Sequence, residues 1–260
     1  MTDEELSRYL EVPMAPPEPS VLEAIERGPL PPDQVLALSE VDRLARPDEL
    51  PGETGWHLDS DGVGYVAVRT AMPGVSAEMI DWWFDWHPRA AIRYRIWHPR
   101  AHYDNRVEMP RARGAKAHWG TVHHPVEDVG AGVVKARIAF RSPREMSMAS
   151  DYLDDPAVAT IVCGHAGDDT RHVQHTPMFH VFLNDDNGGV VLRSRFWLGA
   201  AIAPYGPLKE IGGAFLNRSA IRRRAMPRGV APALARHCAE EYARLGALLP
   251  ELYERFGSSA

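Results

Sequence analysis

The period of the apolar residues changes along this chain, and that change restricts the fold more than any other feature. From about residue 115 to 200 the period is two, with candidate strands at His118–Glu127, Val133–Arg141, Val158–Cys163, Met178–Leu183 and Val190–Leu198. Clusters of Gly, Asp and Asn, such as residues 184–189, separate them, and that turn makes a hairpin of the last two strands. From Ala231 to about Phe256 the period becomes helical, with Leu234, Cys238, Leu245, Leu248, Leu249 and Leu252 on one stripe. No helix-length pattern alternates with the strands, so the sheet is expected to be antiparallel. Several strands followed by one long helix is the order of an α+β chain in which a curved sheet wraps a helix and encloses a cavity.

Upstream, a short strand at Gly64–Thr70 leads through Pro73-Gly74 into a stretch where Met79, Trp82, Trp83 and Trp86 recur at helical spacing. Ser76 is placed to cap that helix, with Glu78 and Asp81 in its favourable first turns. Residues 1–60 are rich in Pro and acidic side chains and read as an arm or small cap rather than a core. The expected division is residues 1–75 as an N-terminal part and 76–260 as the domain that holds the site. Residues 204–229 form a Gly-, Pro- and Arg-rich connection before the last helix.

Composition narrows the function. The 260 residues are 45% hydrophobic and carry a net charge of -6, so nothing offers a basic surface to a phosphate backbone and nucleic acid is not an expected partner. The least polar long stretch, near residues 196–207, is far short of the roughly 20 apolar residues of a membrane span. The acidic start, MTDEEL, is unlike a signal peptide, and two cysteines are too few for a disulfide scaffold, so a cytoplasmic setting is expected. A small-molecule substrate is the remaining default. Histidine is plentiful, at twelve residues.

The last helix carries the most informative pair. His237 and Glu241 fall on its apolar stripe, one turn apart, where an ionised carboxylate costs several kcal/mol unless something compensates it. Side chains at i and i+4 lie one above the other, so the two could share a divalent metal, although a buried hydrogen bond or a wet cavity would also account for them. Further donors lie upstream. RYRIWHPRAHYDN offers His98 and His102, and HWGTVHHPVEDVG offers His118, His123, His124 and Glu127. Read as extended, the first segment places His98 at the end of an apolar face formed by Ile92, Tyr94 and Ile96. In the second, His123 and Glu127 share a strand face.

WWFDWHP, RYRIWHPRAH, the VED stretch after the double histidine, VVLRSRFWLG and the terminal HCAEEYARL together resemble the diacetylphloroglucinol hydrolase and phloretin hydrolase family, from about Trp82 to the last helix. The resemblance implies a helix-grip fold of the Bet v 1 type and cleavage of the carbon-carbon bond between a polyphenol ring and its acyl group. It further implies a homodimer and a zinc ion held by two His and two Glu. Carried onto this sequence, the ligands are His98, Glu127, His237 and Glu241, with Glu127 also in a catalytic role. His180 shares a strand face with Met178 and Phe182, the usual place of a core histidine; the resemblance makes it a proton donor or substrate contact. Of substrate-contacting tyrosines, only Tyr94 precedes His98. Arg195, beside Arg193 on one strand face, is a candidate for binding a phenolate or else part of a solvated face. A non-enzymatic carrier of an aromatic ligand and a metal-dependent hydrolase of another 1,3-diketone are the rival readings, and two carboxylates beside two histidines would also suit iron or manganese.

Overall fold

The computed structural model describes residues 3–110, 114–206, 216–225 and 229–257. The helices are α1 (Asp3–Glu11), α2 (Pro19–Glu26), α3 (Ala77–Trp86), α4 (Ala91–Trp97), α5 (Ser219–Ala225) and α6 (Val230–Phe256). The strands are β1 (Gly55–Leu58), β2 (Gly64–Pro73), β3 (His102–Glu108), β4 (Val122–Asp128), β5 (Val133–Arg141), β6 (Val158–Asp168), β7 (Val173–Asn184), β8 (Gly189–Leu198) and the short β9 (Ala203–Pro204). They form one antiparallel sheet in the order β1-β2-β8-β7-β6-β5-β4-β3, with β9 added to β7.

The sheet grips α6, as its alternation requires. Val66, Val68, Met178, Phe182, Leu192 and Phe196 face the helix and pack on Ala235, Cys238, Tyr242, Leu245 and Leu249. The expected strands are all present, with β6 and β7 longer than their apolar cores. β4 is the exception at its start: His118 lies in a turn, and pairing begins at Val122. The β7–β8 hairpin turns at residues 185–188 as expected. α3 follows its pattern too, with the Ser76 hydroxyl accepting the Met79 N–H and Trp82, Trp83 and Trp86 buried. Trp86 stacks on Phe256 and Trp82 meets Tyr253 edge-on, so α3 seals the far end of α6.

The N-terminal part does more than cap. β1 and β2 belong to the sheet, so the sheet continues across the expected division at residue 75. Leu36, Val41, Leu44 and Ala45, from the turns around Leu38–Ala45, cover its outer face and form a second apolar cluster with Tyr65, Ile161, Phe179, Val181 and Trp197. Coverage on both faces explains why β7 and β8 are buried almost throughout. These N-terminal apolar residues lie in 3-10 turns interrupted by polar side chains, so no regular period announces them.

Part of the 204–229 connection falls outside the described residues; within it, 219–225 form α5. No described helix is long and apolar enough to cross a membrane.

Candidate metal centre

The segment read as extended from Ile92 to His98 is the helix α4, which ends at Trp97. It lies between α1 and β3 and buries Tyr94, Ile96 and Trp97, so apolar residues surround it and imitate alternation. This changes where its histidines go. His98 closes α4, and its carbonyl accepts the N–H groups of Ala101 and His102 in a tight turn. His102 then opens β3 directly opposite Glu127 of β4.

A β-bulge sets that register. Asn105 pairs with Pro125 and Asp104 with Val126, and His102 then pairs with Glu127, leaving Tyr103 as the extra residue. Regular pairing would put Tyr103 opposite Glu127. The bulge turns the 45%-exposed Tyr103 outward and brings His102, 1% exposed, onto the inner face.

Four side chains converge there. His102 Nε2 lies 3.4 Å from His237 Nε2, and 3.6 Å from both Glu127 Oε2 and Glu241 Oε2. His237 Nε2 is 3.8 Å from Glu241 Oε2. Donors held about 2.1 Å from a tetrahedral zinc ion stand about 3.4 Å from one another, so these separations match a shared metal. His102, Glu127 and His237 satisfy the mutual spacing of a metal-binding group, with Glu241 beside them.

The surrounding bonds orient the donors outside-in. His102 Nδ1 lies 3.1 Å from the Tyr94 carbonyl, which can only accept, so the ring proton sits on Nδ1 and Nε2 presents a lone pair. Tyr94 stacks flat on His102, with ring centroids 4.1 Å apart, and its hydroxyl donates to Glu127 Oε2. The His102 lone pair and two carboxylates directed at one point repel unless a cation stands between them.

Electrostatics point the same way. Burial, then Glu127, pushes the Glu241 carboxyl well above its usual range, and burial also raises Glu127. Burial and the neighbouring His237 hold His102 well below 6.5, while burial takes His237 down to about 4. Each group is driven toward its neutral form because the charged form is desolvated. Among the described residues, the ion partners recorded for Glu127 and Glu241 are histidines, not Lys or Arg. A divalent cation would reverse the cost for both carboxylates.

Of the four residues expected as ligands, the structure brings Glu127, His237 and Glu241 together around His102 and leaves His98 outside that group. His98 bonds Glu240 at 3.3 Å and stacks on His237, with ring centroids 5.1 Å apart. Both histidines were visible in the sequence; the bulge that chooses between them has no local signal. Tyr94 lies in the site, against Glu127.

Arg195 does not. Together with Arg193 it points to the outer face of the sheet and binds Glu53, with Arg195 Nη2 at 3.0 Å and Arg193 Nη2 at 2.6 Å. Alternation along β8 puts the arginines on the side of Trp197, opposite Ser194 and Phe196. Both arginines are buried, so the face they share is not a solvated one. His180 faces inward, its Nδ1 2.8 Å from Ser194 Oγ and its ring 5.0 Å from that of Tyr242. Burial lowers its pKa to about 3, so it is neutral at pH 7. A cleft of about 580 Å³ opens beside the centre, with Ile25 and Trp56 on one side, Asp128 and Ala233 on another, and His98, His237 and Glu240 at its wall.

Among solved structures, the chain is similar to the Zhui aromatase/cyclase from Streptomyces sp. R1128, at 13% identity over 74% of this chain and 96% of that one, with a TM-score of 0.42. It is also similar to Ara h 8.0201, at 11% identity over 70% of this chain and 98% of the other, with a TM-score of 0.35. In sequence it is 28% identical to phloretin hydrolase from Eubacterium ramulus, over 95% of this chain and 88% of that protein. It is likewise 28% identical to 2,4-diacetylphloroglucinol hydrolase from Pseudomonas protegens, over 93% of this chain and 81% of that protein. The profile of the DAPG hydrolase PhiG domain matches residues 36–254, a span that holds all four converging donors, and the chain accordingly belongs to that family of hydrolases.

Proposed function

We infer that this protein is a zinc-dependent hydrolase that cleaves the carbon-carbon bond between a polyhydroxylated aromatic ring and its acyl group, giving the phenol and a carboxylic acid. Phloretin and acetylated phloroglucinols are the substrate class. The observation that carries the reading is the convergence of His102, Glu127 and His237 within metal-binding distance of one another, with Glu241 3.6 and 3.8 Å from the two histidines, in a chain whose relatives include a phloretin hydrolase and 2,4-diacetylphloroglucinol hydrolases.

When bound, the metal supplies a Lewis acid for the acyl carbonyl and acidifies water. The remaining work belongs to side chains of the site. The Tyr94 carbonyl fixes the His102 tautomer, and the Tyr94 hydroxyl holds Glu127 Oε2 in place. The Tyr94 hydroxyl, hydrogen-bonded to Glu127, is the group placed to supply the proton that the acyl-bearing ring carbon takes up on going to its keto tautomer, before the acyl group departs. The ring helps: its keto tautomer, protonated at the acyl-bearing carbon, is a 1,3-dicarbonyl from which the phenol leaves as an enolate. His180 is neutral, so it serves as a hydrogen-bonding substrate contact rather than as a strong acid.

The test is direct. The purified protein is assayed for bound metal and incubated with phloretin and with mono- and diacetylphloroglucinol, followed by detection of free phloroglucinol and carboxylic acid. Stoichiometric zinc and cleavage are expected. His102→Ala is expected to lose metal and turnover together, whereas His98→Ala retains metal. Cleavage of none of the three compounds sinks the substrate assignment, and full activity in a metal-free His102→Ala protein sinks the metal.

A further inference from the structure

Arg244 lies three residues beyond Glu241 on α6 and is 1% exposed. No carboxylate is recorded against it among the described residues. Its guanidinium instead donates to four main-chain carbonyls from two other segments. Nε reaches Ile96 at 2.8 Å, Nη2 reaches Tyr9 at 2.6 Å, and Nη1 reaches Val12 at 2.8 Å and Pro13 at 3.1 Å. Ile96 is in the last turn of α4, Tyr9 is in the last turn of α1, and Val12 and Pro13 follow that helix directly. Carbonyls at the end of a helix lack intrahelical partners and carry its negative dipole end, so one buried cation caps two helices together.

The junction it ties is the one on which the metal donors depend. α4 supplies the Tyr94 carbonyl that orients His102, while α6 supplies His237 and Glu241. Where the two helices meet, the Trp97 indole N–H also donates to the Glu241 carbonyl, at 3.1 Å. The Trp97 and Arg244 bonds thus hold α4 against the turn of α6 that bears Glu241. The planar, forked guanidinium reaches carbonyls in several directions, which a single ammonium cannot do.

We propose that Arg244 is a positioning residue for the metal donors: by capping α4 and α1 together it holds α4 at the register on α6 in which His102 meets His237 and Glu241. The N-terminal segment 9–13, outside the matched family span, becomes part of the support of the centre. The inference rests on the metal reading above.

The test uses full-length protein and measures metal affinity by competition with a chromophoric chelator, together with the visible spectrum of the cobalt-substituted form and urea stability. Arg244→Met is expected to raise the metal Kd by about 10- to 100-fold, the range for losing a group that orients a ligand, and to alter the cobalt spectrum. Arg244→Lys, which keeps the charge and one reach, should fall between. Val181→Ala opens a cavity in the outer cluster and controls for stability alone; its metal Kd is expected to match that of the unsubstituted protein. If Arg244→Met does not fold, Arg244→Lys decides. An unchanged Kd and cobalt spectrum in the Arg244 variants would overturn the proposal while leaving the metal reading intact. Failure of the unsubstituted protein to bind metal in the same titration would overturn both.

Discussion

Replacing Glu53 by Gln tests whether Arg195 is structural. Glu53 Oε1 accepts from Arg193 Nη2 at 2.6 Å and from the Leu50 N–H at 3.0 Å, while Oε2 accepts from Arg195 Nη2 at 3.0 Å. The Arg193, Arg195 and Glu53 side chains are only 4%, 0% and 12% exposed. Burial alone would raise the Glu53 pKa, but Arg195, the Leu50 N–H and Arg193 outweigh it and hold it below its usual value. The amide keeps the shape, removes the charge and turns one acceptor into a donor facing a guanidinium. Arg193 retains the carbonyls of Arg46 and Asp48, so it stays largely satisfied. Arg195 retains the Ser194 carbonyl and is the group left uncompensated. Breaking a buried pair from one side costs about 3–5 kcal/mol, a large share of the roughly 5–15 kcal/mol that holds a domain together. Urea denaturation at pH 7, followed by fluorescence of the buried tryptophans, should show that loss as a lower midpoint at unchanged slope. Adding Arg195→Met removes the stranded charge and should restore part of the loss, because a flexible apolar chain suits a site beside Phe179 and Trp197. A loss under about 1 kcal/mol in Glu53→Gln, the range of an exposed pair, would refute the reasoning. So would an Arg195→Met protein of full stability whose KM for the acylphenol rises tenfold, since that returns Arg195 to the substrate.

Acid should destabilise the protein above the ordinary carboxylate range. Burial holds His87 and His180 at about 3 and His118 at about 4, so between those values and the unfolded pKa of 6.5 the unfolded chain binds more protons and stability falls as pH falls. At pH 5 each of the three costs about 2 kcal/mol, and the urea midpoint is expected to drop steeply from pH 6.5 to 5. A midpoint that is flat over that interval would show that these rings are solvated. Tyr94→Phe removes the donor to Glu127 but keeps the ring stacked on His102. It should lower kcat by about 10- to 100-fold with a smaller change in KM, measured by phloroglucinol release, and unchanged kcat would remove Tyr94 from the proton path.

Much of the architecture was legible in local patterns. Alternation marks β5 to β8, helical spacing marks α3 and α6, and a polar pair on the stripe of α6 points to His237 and Glu241, because these signals depend only on which residues face a common core. Tertiary structure decided the rest. α4 imitates a strand because it is buried on more than one side, so its apolar residues keep no single face. The Pro-rich N-terminal part hides a second apolar cluster in irregular turns. Arg195 reads like a ligand for a phenolate until Glu53, 142 residues away, closes on it from the other side of the sheet.

The same division runs through the metal centre. The sequence by itself determined that a histidine and a carboxylate share one face of the long helix, since i, i+4 geometry follows from the backbone alone. It could not choose His102 over His98. That choice rests on one extra residue in β3, which shifts the register so that His102 instead of Tyr103 stands opposite Glu127. Side-chain direction reverses with every residue along a strand, so a shift of one decides which side chain reaches the site, and only the pairing with β4 sets that shift.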